Sequence, residues 1–193
     1  MRTAKLSRTT KETDIVLSLN LDGSGNGTIT TGVGFFDHML TALALHGGLD
    51  LELSVKGDLE VDCHHTVEDT GIVLGQAFKA ALGDRGGIAR YGSAFVPMDE
   101  ALGFCALDIS GRPFLAFNAD FTGPQVGGFD TQMAEEFFRA FAFGAGITLH
   151  LRVEYGKNDH HMLEALFKAL GQSLRAAVRQ QGGGVLSTKG MLD

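Results

Sequence analysis

The chain has 193 residues, 44% of them hydrophobic, which suits one compact domain or two small halves with a sizeable core. A net charge of −7 with no basic stripe argues against nucleic acid as a partner, and apolar runs broken by glycine argue against a membrane span. Two cysteines, Cys63 and Cys105, form no ligand spacing, and the N-terminus lacks a signal peptide's apolar core, so a reducing cytoplasm is the expected setting.

Residues 1–11 are polar and basic, and order is expected only near their end. A first strand opens at Glu12 and includes residues 15–19. Residues 22–27, rich in Gly, Asp and Asn, read as a hairpin loop leading to a strand at 28–31. A helix begins around Gly34 and stops at Gly47 and Gly48. Leu49, Leu51, Leu53 and Val55 alternate with Asp50, Glu52 and Ser54, the pattern of a half-buried strand, and an amphipathic helix follows over 67–82. The second half repeats this order. Strands are expected at 94–96, 104–109 and 114–117, then a helix over 131–143, an alternating strand from Ile147 to Val153, and a helix running to Arg179. Two copies indicate duplication rather than a solenoid, with halves at 1–92 and 93–193 forming an α+β fold, each a small sheet with two helices.

The chemistry concentrates in residues 62–69, Asp-Cys-His-His-Thr-Val-Glu-Asp, which have a second copy in Asp159, His160, His161, Met162, Leu163 and Glu164. At ~100° per residue, His64 and Glu68 share a helix face while His65 points ~100° away. Neighbouring histidines therefore do not readily serve one ion. Each copy is expected to give its first His and its Glu to one metal and its second His to another. Aligning Gly48 with Gly146 sets His38 opposite Glu136, adding one donor to each half.

Eight donors result: His38, His64, His65, Glu68, Glu136, His160, His161 and Glu164. Nitrogen and oxygen donors without thiolate suit Mn²⁺ or a similar six-coordinate ion, with other divalent metals also compatible. Cys63 reads as a small buried residue ending a strand rather than a ligand. Three carboxylates against two divalent ions leave a site that stabilises an anion, open to lyase or hydrolase chemistry. Arg90, Arg112 and Lys189 lie in turns and are candidates for holding phosphate. His46, at a helix end where the dipole favours a cation, and His150, on the polar side of a strand, are given no catalytic part.

Four segments together resemble one family. They are Gly34 to Leu40 (Gly-Phe-Phe-Asp-His-Met-Leu), the residues 62–69 already quoted, Pro97-Met98-Asp99-Glu100-Ala101, and Gly156-Lys157-Asn158-Asp159-His160-His161 running into Glu164 to Ala169. The family is imidazoleglycerol-phosphate dehydratase of histidine biosynthesis. The resemblance implies two halves, each a four-stranded sheet with two helices, the helices between the sheets, in the class of the ribosomal protein S5 domain 2-like folds. It implies a hydro-lyase with two Mn²⁺ per active site that dehydrates D-erythro-imidazole glycerol phosphate to imidazole acetol phosphate through an imidazolate bound between the metals. It further implies trimers building a 24-subunit shell with sites made by neighbouring subunits. By resemblance, Glu164 transfers a proton as well as binding metal, with Glu12 and Asp99 as acid-base or orienting groups and Glu12 also contacting substrate. Arg90, Arg112, Lys168, Ser187 and Lys189 hold the phosphate. Glu136 stands where many members are expected to carry His, with Glu135 or a water as the alternative. A dinuclear hydrolase and a non-catalytic metal-binding shell protein are the competing readings of the motifs alone.

Overall fold

The computed structural model describes residues 1–188. Its first half comprises β1 (Thr3–Thr9), β2 (Thr13–Asn20), β3 (Ile29–Thr30), α1 (Gly34–Gly47), β4 (Asp50–Gly57) and α2 (His64–Leu82). The second comprises β5 (Tyr91–Met98), β6 (Ala101–Asp108), β7 (Phe114–Asn118), the short pair β8 (Gln125–Val126) and β9 (Phe129–Asp130), α3 (Met133–Ala145), β10 (Thr148–Tyr155) and α4 (Asp159–Ala177). The expected boundary between residues 92 and 93 lies just inside β5.

The two four-stranded sheets run β1-β2-β4-β3 and β5-β6-β10-β7, the same order by position. In each, the last strand is the only one that pairs parallel. Both short helices end the same way. Gly48 (φ 64°) and Gly146 (φ 67°) adopt the left-handed conformation that lets the backbone N–H return to the last carbonyls, which glycine reaches without a Cβ clash. The α+β duplication is therefore present in detail.

The helices form the layer between the sheets. α2 packs on β1 and β2 and against α3, while α4 packs on β5 and β6 and against α1. Each motif-bearing helix thus has its main helical neighbour in the opposite half. Aromatic side chains fill the middle: Phe137 stacks on Phe167 at 5.2 Å and meets Phe36 edge-on at 5.3 Å, and all three are fully buried. Glycines permit close helix approach, since a Cβ on Gly171 would stand 2.6 Å from the Leu43 carbonyl oxygen and one on Gly75 would stand 2.5 Å from that of Phe141.

Three expectations need correction. Residues 3–9 form a full strand, because Ala4 and Leu6 pack on the core while β1 zips along β2, and Arg2 anchors its start through Asp22. Residues 22–27 do not form a hairpin. Asp50 collects the amides of Ser24 (2.9 Å) and Asn26 (3.1 Å), folding the loop over β4 so that β3 pairs parallel to it. The β8–β9 pair went unforeseen, its two-residue strands being too short for an alternation signal.

Candidate metal centre

Both His-His pairs open a helix, and both are pinned there alike. The Asp62 carboxylate accepts the His64 N–H at 2.7 Å, and the Asn158 side chain accepts that of His160 at 2.9 Å. Asn158 is the N-cap of α4, while Asp62 precedes the N-cap position of α2; both satisfy an amide that a first helical turn leaves unpaired. Asp159, buried, also accepts the amides of Thr122 (3.0 Å) and Gly123 (2.7 Å), fixing the start of α4 to the neighbouring loop.

One group of three donors comes together. His38 of α1 and His160 and Glu164 of α4 offer ligand atoms all within 4.8 Å of one another. The Glu164 Oε2 lies 3.2 Å from His160 Nε2 and 3.6 Å from His38 Nε2. Phe35 sits edge-on to the His160 ring at 5.0 Å and limits its rotation. Glu164 is 7% exposed, and Lys168 donates to its Oε1 at 2.6 Å. Burial favours the neutral acid, but the Lys168 hydrogen bond and charge, with His38 and His160, outweigh it and hold the carboxyl below its ordinary value.

The equivalent donors around α2 are partly assembled. His64 Nε2 is 3.5 Å from Glu68 Oε2. Glu136, on α3 beside α2, accepts from Arg139 at 2.6 Å, and Glu135 accepts from the same guanidinium at 2.6 Å. Among the described residues, these do not join the first group, nor do His65 and His161. The last two face elsewhere, as the helical angle required. His65 Nδ1 is 2.9 Å from Asp58 and its Nε2 is 3.9 Å from Glu12, whereas His161 Nδ1 is 2.8 Å from Glu100 and its Nε2 is 3.8 Å from Asp99. Glu12 and Asp99 consequently occupy opposite motifs of one chain. Asp58 and Glu100 were not anticipated as partners. Glu100 was visible in the Pro-Met-Asp-Glu-Ala segment, but Asp58, just beyond a strand, gave no signal.

A carboxylate on Nδ1 fixes ring orientation and directs Nε2 outward, the usual support of a metal-binding histidine. The hydrogen bond that His65 makes to Asp58 raises its pKa, and the one that His161 makes to Glu100 does the same. Reciprocally, His161 and the amide of Asn158 bring Glu100 down to about 2.

The phosphate candidates are more scattered. Arg90, with φ 72°, spends its fork on Asp108 (2.7 and 2.9 Å) and donates to the Leu186 carbonyl at 2.6 Å. Arg90 therefore clasps the C-terminal segment that carries Ser187. Arg112 is exposed in its turn, and Lys168 is engaged with Glu164. Lys189 lies outside the described residues. His46 departs from its reading as a favoured cation, since burial and then Lys168 lower its pKa. His150 is exposed on β10 as expected. Cys63 is buried but stands at the N-cap position of α2, without a side-chain capping hydrogen bond, rather than ending a strand. Beside it, a cleft of about 480 Å³ runs between Gly32, Asp62, His64 and the β8–β9 turn.

Comparison with known proteins is consistent across sequence and structure. The family model described as Imidazoleglycerol-phosphate dehydratase matches residues 31–174. The imidazoleglycerol-phosphate dehydratase of Acetivibrio thermocellus is 60% identical, over 99% of both chains, and that of Alkaliphilus metalliredigens is 57% identical, over 99% of both. The crystal structure of the Staphylococcus aureus dehydratase superposes with a TM-score of 0.84 at 41% identity, over 92% of this chain and 99% of that one. The Pyrococcus furiosus structure gives 0.83 at 39% identity, over 97% and 100%.

The Glu100–His161 contact predicts a pH signature in metal-free protein. Glu100's depressed pKa means its contribution is present above the ordinary carboxylate range and lost as pH falls toward 2; His161's raised pKa means its contribution is full below 6.5 and fades as pH rises through the elevated value. The stability difference between wild type and Glu100→Gln, measured by urea unfolding, should therefore be largest near pH 5 to 6. A difference independent of pH would contradict the pairing.

Proposed function

The chain belongs to the imidazoleglycerol-phosphate dehydratase family, lyases of histidine biosynthesis, and from that premise we propose how its residues perform the dehydration. The substrate is D-erythro-imidazole glycerol phosphate and the product imidazole acetol phosphate. A hydroxyl and a carbon-bound proton leave as water, and the resulting enol becomes the ketone without net redox change. The observation that carries the metal reading is the His38, His160 and Glu164 group, two imidazoles and a carboxylate brought to one point by two helices.

That donor set fits a divalent cation with open positions, and Mn²⁺ suits its nitrogen and oxygen donors. His64 and Glu68 of α2 with Glu136 of α3 would form the matching set, again drawn from both halves. His65 and His161, held at Nδ1 and aimed away from their own chain's sets, would each complete a set on a neighbouring subunit. Sites shared in this way account for the family's expected assembly from trimers to a 24-subunit shell. The acidic chain, with no helix among the described residues long and apolar enough to cross a membrane, is in keeping with work in the cytoplasm on a small phosphorylated substrate.

When bound, two divalent cations would supply positive charge that holds the imidazole ring as its anion. The remaining tasks fall to side chains. Glu164, whose carboxyl is held below its ordinary value by Lys168, would accept a proton at its Oε atoms. Glu12, beside His65, and Asp99, beside His161, would orient the substrate or return a proton. Arg90, Arg112, Lys168, Ser187 and Lys189 hold the phosphate. Lys168 would then link phosphate binding to the charge state of Glu164.

Two experiments test this. Chelated protein should form no ketone from imidazole glycerol phosphate, and Mn²⁺ should restore turnover; ketone formation that persists after complete chelation would remove the metal from the reaction. Glu164→Gln should assemble yet lose turnover by roughly a hundredfold or more, the scale of a general acid-base contribution. Near-normal turnover in that variant would remove its proton-transfer role.

A further inference from the structure

The duplication supplies an internal control for one buried polar cluster. Asp69, 7% exposed on α2, accepts the Thr13 hydroxyl at 2.5 Å and pairs with Arg8 of β1. Thr13 itself is 3% exposed. The hairpins β1–β2 and β5–β6 pair in the same register, Thr3 with Asn20 and Tyr91 with Asp108, so that Arg8 corresponds to Val96 and Thr13 to Ala101. Aligning the His-His pairs makes Ala165 the counterpart of Asp69. Val96, Ala101 and Ala165 are all buried. One fold therefore closes the same junction with three apolar residues in one half and an ion pair plus a hydroxyl in the other. Burying such polar groups carries a desolvation cost that apolar packing avoids, so closing the junction does not explain their presence.

What differs is the carboxylate on the turn ahead of this junction. In the second half, Glu100 pins its own turn: Oε1 accepts the amides of Asn158 (2.8 Å) and Lys157 (3.1 Å), and Oε2 meets His161 at 2.8 Å. Its counterpart Glu12 does none of this. Asp58 takes the Nδ1 of His65 instead, while its own N–H donates to the Glu12 carbonyl at 3.1 Å. The Glu12 side chain remains 54% exposed, 3.9 Å from His65 Nε2. The turn is held from behind by Thr10, whose hydroxyl accepts the amides of Glu12 (3.1 Å) and Thr13 (3.0 Å), and by Thr13 on Asp69. Because His65 and Asp69 lie four residues apart on one face of α2, the same helix turns set both the outward histidine and the anchor of the Glu12 turn.

We infer that Arg8, Thr13 and Asp69 are positioning residues, fixing the Glu12 turn to α2 so that the Glu12 carboxylate stays unspent beside His65 for the reacting molecule. This rests on the role proposed above for Glu12.

The test transplants the second half's own solution into the first. Metal-loaded full-length protein carrying Arg8→Val, Thr13→Ala and Asp69→Ala is compared with Glu12→Gln and with the combination, measuring kcat, KM, thermal unfolding and metal content. The triple variant should keep its melting temperature within a few degrees and its metal, lose roughly ten- to a hundredfold in kcat, the scale of a misplaced group, and add almost nothing to the loss in Glu12→Gln. If Glu12→Gln is impaired and the triple variant turns over normally, or its loss multiplies that of Glu12→Gln, the inference is overturned while the role of Glu12 stands. Near-normal turnover in Glu12→Gln would overturn that role and the inference with it. Should the triple variant not fold, Asp69→Asn decides, since it keeps an acceptor for Thr13 but loses the ion partner of Arg8. It should lower kcat in the wild-type background and leave it unchanged in Glu12→Gln; equal losses in both backgrounds would overturn the inference.

Discussion

Adjacent histidines on a helix point ~100° apart, and most of the arrangement follows from that constraint. The first histidine of each pair faces the Glu four residues on, His64 beside Glu68 and His160 beside Glu164, and His160 also meets His38 of the other half. The second points about a quarter-turn away, where a carboxylate of its own half takes its Nδ1. His160 therefore meets His38 and Glu164, whereas His161 meets Glu100. The close crossing of α1 on α4 at Gly47 and Gly171 makes the inward meeting possible, and a side chain at Gly171 would force the donors apart.

Around this frame the electrostatics are graded. Glu164 is the most buried of the proposed ligands, and its charge is kept by Lys168 rather than by solvent. Glu68 and Glu136 are more open. Asp58 and Glu100 act one step back, on the imidazoles, where a fixed negative charge makes the ring a better donor. The two halves carry the same His-His-x-x-Glu pattern but use their turn carboxylates differently, Glu100 as a brace and Glu12 as an exposed group. A duplicated fold can divide labour in this way without altering its sheets.

Much of this was legible from spacing. The repeated His-His-x-x-Glu pattern located both motif helices, and the glycine stops at Gly48 and Gly146 placed His38 and Glu136 opposite one another, as the structure does through α1 and α3. Less was legible where contacts are distant in sequence. Residues 3–9 looked like a polar tail because their apolar positions are few, and only pairing with β2 makes them a strand. Asp50 gathers a loop that composition alone read as a hairpin. Arg90 was read from its turn, but its link to Asp108 and to the Leu186 carbonyl requires two strands and the C-terminal segment to converge. The angle between His64 and His65 excluded one ion for both; which side chains would meet each ring had to come from the fold.

In the proposed enzyme each active site joins one chain's α4-centred donors, His38, His160 and Glu164, to a neighbour's α2-centred donors, His64, Glu68 and Glu136. The most direct test mixes two inactive variants, His64→Ala and His160→Ala, after dissociation and reassembly with Mn²⁺. Each variant retains one intact donor set. Shared sites should return about a quarter of wild-type turnover from an equimolar random mixture, because a quarter of the interfaces then pair two intact sets. Turnover no greater than that of either variant alone would contradict the claim and confine each active site to a single chain.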